Sequence, residues 1–468
     1  MQFLRASGDL QTILFLSVSG VYVTCGLFFD CFSSMKFYST NAPTQLVSTQ
    51  EALFHSLPAD SGLYMPEYIP ALPHAFLNTL SGSSFTHIAH VLTSLWLGDE
   101  LTDTEIDTLV TQAFPFDTPL VELEADKLYA LELFHGPSLA FKDVGARFMA
   151  GLMAHYAHRL SHEVHILVAT SGDTGGAVAM GFHNVPGVRV SILYPKGRVS
   201  MLQEKQLTTL GGNVHAYEVD GSFDDCQAMV KRAFLDAELS QVYSLSSANS
   251  INIFRLIPQS FYYIRALAQL EKGHKPVAFS IPSGNFGNLS AGVLAWRMGM
   301  PTQAFVASTN VNKVVPDYLQ SGVYEPMASL ATLSNAMDVG NPSNFVRLKH
   351  LFHDDYTALF NQVKGYYFTD DQTVDEMIFL RDKYDYVACP HTAVGLLGLQ
   401  SYQQSHVDNC GIALVTAHPA KFSPAVDTIF GQAVEVPERL AVLSDREKQA
   451  TAIPASFEAF KESLLQTA

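Results

Sequence analysis

The chain has 468 residues, 48% of them hydrophobic and 16% charged, and its 28 basic and 45 acidic side chains leave a net charge of −17. This composition excludes a disordered chain, which needs low hydrophobicity and dense charge. It also excludes a collagen-like or proline-rich fibre, because the 30 Gly and 22 Pro show no period. The acidic balance lacks the basic footprint of non-specific nucleic-acid binding, so any anion must be met locally by backbone N–H groups or a few placed cations. The five cysteines, Cys25, Cys31, Cys226, Cys389 and Cys410, form no C-x-x-C pair. They fit a reducing compartment with neither a disulfide framework nor a zinc ribbon.

Between Asp9 and Asp30 there is no charge and much of the stretch is apolar, just long enough for a membrane helix. Gln11, Thr12, Ser17, Ser19 and Thr24 dilute it, only Arg5 precedes it, and no A-x-A-like cleavage site follows. The expectation is that translation starts at Met35 and that residues 1–34 are an extension outside the fold, with a signal or anchor over residues 10–29 as the alternative. Residues 35–115 are expected to form a mainly helical N-terminal region, with N-caps near Ser48 and Asp103. Residues 116–468 are expected to form the catalytic core, with a smaller mobile subdomain at about 145–260.

From residue 164 the pattern is regular. Strands are predicted at Val164–Ala169, Val188–Tyr194, Val214–Val219, Val242–Leu245, Val277–Ile281 and Ala304–Ser308. Helices are predicted at Val199–Leu210, Asp224–Ala237 and Ile251–Leu270. Short apolar strands alternating with helices imply an α/β fold with parallel sheets covered on both faces, where ligands bind beyond the carboxyl ends of strands. His155, His158, His162 and His165 are spaced 3, 4 and 3. Ser161 is expected to end that helix and leave His165 in the next strand, so the spacing reads as a solvated helix face and no metal site is expected.

Three segments carry chemistry. Ser283-Gly-Asn-Phe-Gly-Asn288 follows a strand and opens a helix, so successive N–H groups at a positive dipole end can cup a phosphate. Ser171-Gly-Asp-Thr-Gly175 repeats the arrangement and could take a carboxylate or phosphate, unless Asp173 only caps the helix. In His135-Gly-Pro-Ser-Leu-Ala-Phe-Lys-Asp143, Lys142 lies among apolar residues, where desolvation makes an amine nucleophilic; the plainer alternative is a surface lysine paired with Asp143.

Together these segments resemble the threonine synthases, pyridoxal-phosphate enzymes of fold type II in the tryptophan-synthase-β-like superfamily. Further segments carry the likeness: Asp60–Tyr64, Tyr194–Gly197, Ser247–Asn252 with Arg255, Thr332–Asp338 and Thr416–Phe422. The resemblance runs from Met35 to the C-terminus. It implies two α/β domains plus a helical N-terminal region, with the cofactor carried on Lys142 as a Schiff base. It implies that Gly284, Asn285, Phe286, Gly287 and Asn288 hold the cofactor phosphate. Thr416 would meet the pyridine nitrogen, where a hydroxyl tempers the electron sink. Ser171, Gly172, Asp173 and Thr174 would hold the substrate carboxylate or the cofactor's ring oxygen. A carboxylate beside that oxygen would be repelled unless protonated, which leaves the role of Asp173 open. Arg255 is expected to grip the substrate phosphate bidentately, with Asn252 nearby and Lys196 and Arg198 as weaker candidates. The implied reaction takes O-phospho-L-homoserine and water to L-threonine and phosphate in the cytoplasm, without nucleic-acid or membrane partners, as a monomer or homodimer. The rivals are another phosphate-ester lyase or amino-acid dehydratase on the same scaffold, or a catalytically silent binding protein.

Overall fold

The computed structural model describes residues 34–157 and 163–466, together with the backbone of 15–18 and 21–24. The chain divides into two compact units, Met1–Ser34 and Met35–Ala468. In the first, Phe15–Val18 pairs antiparallel with Val21–Thr24. The rest of the uncharged N-terminal stretch lies outside the described residues, as do His158, Ser161 and His162. Among the described residues no helix is long and apolar enough to cross a membrane, and no cluster of His, Cys, Asp and Glu could hold a metal.

Two sheets organise the second unit. The larger has the order Val363–Tyr367, Ala304–Thr309, Val277–Pro282, Cys410–Val415, Leu128–Glu132, Leu120–Glu124, with only the last strand antiparallel. The smaller is wholly parallel, in the order Ser244–Ser246, Val164–Ala169, Val188–Pro195, Val214–Asp220, Thr451–Pro454. Parallel pairing buries both faces, and the sequence reflects it. Every residue of Val164–Ala169 is buried: Val164, Ile166 and Val168 enter one apolar cluster, Leu167 and Ala169 another. The first cluster also takes Val277, Phe279 and Ile281 from the larger sheet, so alternate residues of both sheets feed one core. Each such side chain contributes about 1.5–3 kcal/mol on burial.

The structure changes several expectations. The N-terminal region is not only helical: it contains a three-stranded antiparallel sheet, Ala42–Ser48, Lys36–Ser39 and Tyr64–Pro66, with the helix Thr49–His55 between its second and third strands in the chain. Ser48 caps the helix Thr49–His55 as expected. The cap of Asp103–Ala113 is Thr102, whose hydroxyl accepts from Glu105 N while the Glu105 carboxylate accepts from Thr102 N. The smaller sheet reaches beyond residues 145–260, because Thr451–Pro454 supplies its edge strand. The helix expected at Asp224–Ala237 is two, Phe223–Leu235 and Ala237–Val242, separated where Asp236 caps the second. The helix expected across Ile251–Leu270 is a 3-10 turn, Ile253–Arg255, followed by Gln259–Gln269. Pro258 has no N–H to continue a helical ladder and restricts the residue before it, so the apolar periodicity runs through a break. His165 is in the strand Val164–Ala169, buried and bonded to Ser191 Oγ at 2.8 Å.

Candidate active site

The carboxyl ends of strands from both sheets meet at a cleft of about 500 Å³. Lys142, Ser171, Asp173, Thr174, Arg198, Arg255, Gly284, Asn285, Phe286, Gly287, Asn288 and Thr416 all line it.

Lys142 begins the helix Lys142–Ala157. The turn before it is tight, with Leu139 at φ 58°. It is sewn to the segment after the strand Cys410–Val415: Phe141 N donates to Thr416 O at 2.8 Å, and His418 N donates to Leu139 O at 3.1 Å. Those two bonds fix Lys142 relative to Thr416. Asp143 does not pair with Lys142; its Oδ2 accepts from Ser138 N at 2.8 Å inside the turn. The Lys142 side chain is 19% exposed, toward the cleft. Burial pulls its amine down to about 8, helped by the charges of Lys421 and Arg255 and opposed by Asp173. About a tenth is therefore the nucleophilic free amine at pH 7 and about half at pH 8, far more than for an ordinary lysine.

The Gly284–Asn288 turn joins the strand Val277–Pro282 to the helix Gly287–Arg297. Among the described residues, no backbone or side-chain acceptor receives the N–H groups of Gly284, Asn285, Phe286, Gly287 or Asn288. Consecutive unpaired amides at a helix start form an anion cup, and the residues therefore fit a phosphorylated cofactor. Phe286 sits in the left-handed region at φ 60°. The Asn285 and Asn288 side chains shape the loop: Asn285 Oδ1 accepts from Ser343 N and Oγ at 3.2 Å, and Asn288 Nδ2 donates to Pro282 O at 2.9 Å. A Cβ at Gly284 would stand 2.8 Å from Ala336 O, whereas one at Gly287 meets nothing closer than 3.5 Å. Of the two glycines, Gly284 is the one the protein's own packing requires.

Asp173 does not cap its helix. Its Oδ1 receives Lys421 Nζ at 2.8 Å and Gln203 Nε2 at 2.9 Å, while Oδ2 lies 4.0 Å from Lys142 Nζ. Burial opposes its ionisation, but the two lysine charges and these donors outweigh burial and hold the carboxyl well below the usual carboxylate range. Asp173 is therefore ionised, with Lys421 as its buried partner. Gly172, the N-cap of that helix, has φ 137°, a region closed to side chains, and its N–H is spent on Thr170 Oγ1 at 3.0 Å.

Arg255 is 3% exposed. Its guanidinium donates to Ala248 O and, at 3.4 Å, to Lys142 O, and burial lowers its pKa to about 10. It lines the cleft but braces backbone on both sides. Asn252 and Lys196 are misplaced by the sequence reading. Asn252 Nδ2 donates to Leu53 O at 2.9 Å and Ser56 Oγ at 3.0 Å, and its Oδ1 accepts from Phe254 N, so the amide is consumed in holding the N-terminal region. Lys196 is exposed and does not line the cleft. Arg198, two residues on, does.

Family models for threonine synthase N terminus, pyridoxal-phosphate dependent enzyme, and threonine synthase, C-terminal match residues 36–114, 112–415 and 392–463. Threonine synthase of Escherichia coli (strain K12) is 41% identical over 432 residues, spanning 92% of this chain and 99% of that protein. The chain belongs to the threonine synthases. A second threonine synthase, from Haemophilus influenzae, is 44% identical over 407 residues, 87% of this chain and 94% of its own length. The crystal structure of pyridoxal-phosphate-bound threonine synthase from Brucella melitensis superposes with a TM-score of 0.87 at 33% identity, covering 92% of this chain and 99% of that one. The fold is that of the pyridoxal-phosphate enzymes of fold type II.

Four polar residues at or beside this threonine synthase cleft escaped the sequence reading. Lys421 stands inside the Thr416–Phe422 segment, but nothing in its spacing points to Asp173. Gln203 reads as the partner of Ser200 in a helix-capping box, and it is, yet its amide also reaches Asp173. His391, near the start of the helix Pro390–Ser405, accepts from Ala336 N at 3.1 Å, and burial pushes it down to about 4, so it is neutral. Asp338 accepts from Thr332 Oγ1 at 2.7 Å and Asn310 Nδ2 at 2.9 Å, while burial lifts it to about 6.

Proposed function

We propose that the chain converts O-phospho-L-homoserine and water to L-threonine and phosphate, the last step of threonine biosynthesis, as a pyridoxal-phosphate-dependent carbon–oxygen lyase. The observation that carries the proposal is the placing of the Lys142 amine in one cleft with the unpaired Gly284–Asn288 amides and the Thr416 side chain. Lys142 would bear the cofactor on its ε-amine, Gly284–Asn288 would hold its phosphate, and Thr416 would face its ring nitrogen. Bound there, pyridoxal phosphate supplies an electron sink for carbanions at the amino acid's carbons.

The remaining chemistry belongs to side chains of this chain. Lys142 Nζ, whose lowered pKa makes the free amine far more accessible near neutral pH than that of an ordinary lysine, takes the proton from Cα and carries protons to and from Cβ and Cγ. Phosphate departs from Cγ with the electron pair of the C–O bond, and water adds its hydroxyl at Cβ. The exposed hydroxyl of Ser171, with Thr174, is offered to the substrate carboxylate. Arg255 and Arg198 supply the cations that an otherwise acidic protein needs beside a dianionic leaving group. The substrate is a small molecule in the cytoplasm, with no nucleic-acid or membrane partner. Incubation with O-phospho-L-homoserine and pyridoxal phosphate should release threonine and phosphate one for one; phosphate with 2-oxobutyrate and no threonine would assign a different lyase.

A further inference from the structure

Lys421 is the one lysine among the described residues whose side chain is fully enclosed in an ion pair. It follows the larger sheet's strand Cys410–Val415, whereas Asp173 starts the helix after the smaller sheet's strand Val164–Ala169. Besides Asp173 Oδ1, Lys421 Nζ donates to Ser138 O at 2.8 Å, inside the turn that presents Lys142. Oδ1 is thus saturated by Lys421 and Gln203, and Oδ2 faces Lys142 at 4.0 Å, beyond hydrogen-bond reach. A lysine alone with a buried carboxylate would close on it as a charge-assisted pair and stay protonated. Such an ammonium is not a nucleophile.

Resting on the reading of Lys142 as the cofactor-bearing amine, we propose that Lys421 is a positioning residue that acts through Asp173: its ammonium occupies this carboxylate, so that Asp173 orients Lys142 without capturing it. The charged and titratable groups facing Lys142 are Asp173, Lys421 and Arg255, with His391 also lining the cleft, and Asp143 faces Lys421 and Arg255. The direction of the effect follows. Removing Lys421 deletes a like charge beside Lys142 and leaves the Asp173 carboxylate with Gln203 as its remaining neutral donor, its charge free to attract Lys142; both changes favour the ammonium.

The test is the pH profile of amine modification at Lys142 in the full chain stripped of cofactor, with formaldehyde and cyanoborohydride as probe and the Lys142 peptide quantified by mass spectrometry. Lys421→Met should move the profile up by about one pH unit, slowing labelling at pH 8 about fivefold. Lys421→Arg, which keeps the charge, should leave the wild-type profile largely in place. Asp173→Asn should move it down. A folded Lys421→Met protein with the wild-type profile, or an Arg variant displaced as far as the Met variant, overturns the proposal. If Lys421→Met does not fold, Asp173→Asn decides: an unchanged or raised profile also overturns it. The underlying reading fails separately, if borohydride reduction of the holoenzyme fixes the cofactor to any lysine other than Lys142.

Discussion

Replacing Lys142 by Met should make the cofactor-free protein more stable. Burial lowers the Lys142 amine from 10.5 to about 8, a difference of about 2.5 pH units. At about 1.36 kcal/mol per unit, that caps the cost of holding it in the folded state at about 3.4 kcal/mol near pH 7. The side chain keeps 19% exposure, so about 1–2 kcal/mol is the expected gain. Met fills a similar volume with a flexible apolar chain, and Asp173 retains Lys421. The folded state binds this proton less tightly than the unfolded state does. The cost is therefore full below about pH 8, shrinks as pH rises, and vanishes above about 10.5, where the amine is neutral in both states. Urea midpoints of the two cofactor-free proteins, compared at pH 7, 9 and 10.5, read the gap directly, because all other titrations are common to both. A wild type more stable than Lys142→Met at pH 7, or a gap that does not close with rising pH, refutes the picture of a desolvated amine.

Two further perturbations address the ligands. Gly284→Ala places a Cβ 2.8 Å from Ala336 O and 2.9 Å from Met337 Cα, an overpacking cost of about 1–3 kcal/mol. Cofactor affinity by absorbance titration should fall about tenfold or more, while Gly287→Ala, with no contact under 3.5 Å, should lose far less; equal losses would contradict the assignment of Gly284. Arg255→Lys cannot brace both Ala248 O and Lys142 O, and should keep the bound cofactor's spectrum while lowering kcat/KM about 100-fold, equivalent to about 2.7 kcal/mol. Near-normal efficiency in that variant would move the substrate phosphate to Arg198.

The parallel strands were legible because burial on both faces leaves uninterrupted apolar runs such as Val164–Ala169. The strand–turn–helix geometry at Gly284–Asn288 was legible because a strand, two glycines and a helix start occur in succession. What could not be read were pairings between distant segments. Lys421 and Asp173 share no periodicity or spacing, and their contact exists only because two sheets converge. Asn252 belongs to a polar segment that looks like a ligand set, but its amide is consumed by Leu53 and Ser56 of the N-terminal region. The apolar period runs past Pro258 and suggests one helix holding Arg255, but Pro258 marks the break that leaves Arg255 in a 3-10 turn.

The most direct test of the central claim is to run the reaction on O-phospho-L-homoserine in ¹⁸O-labelled water and locate the label. Loss of phosphate from Cγ followed by hydration at Cβ predicts threonine carrying one ¹⁸O in its hydroxyl and phosphate released unlabelled. Label in the phosphate, with homoserine as the organic product, would mean hydrolysis at phosphorus and would contradict the account.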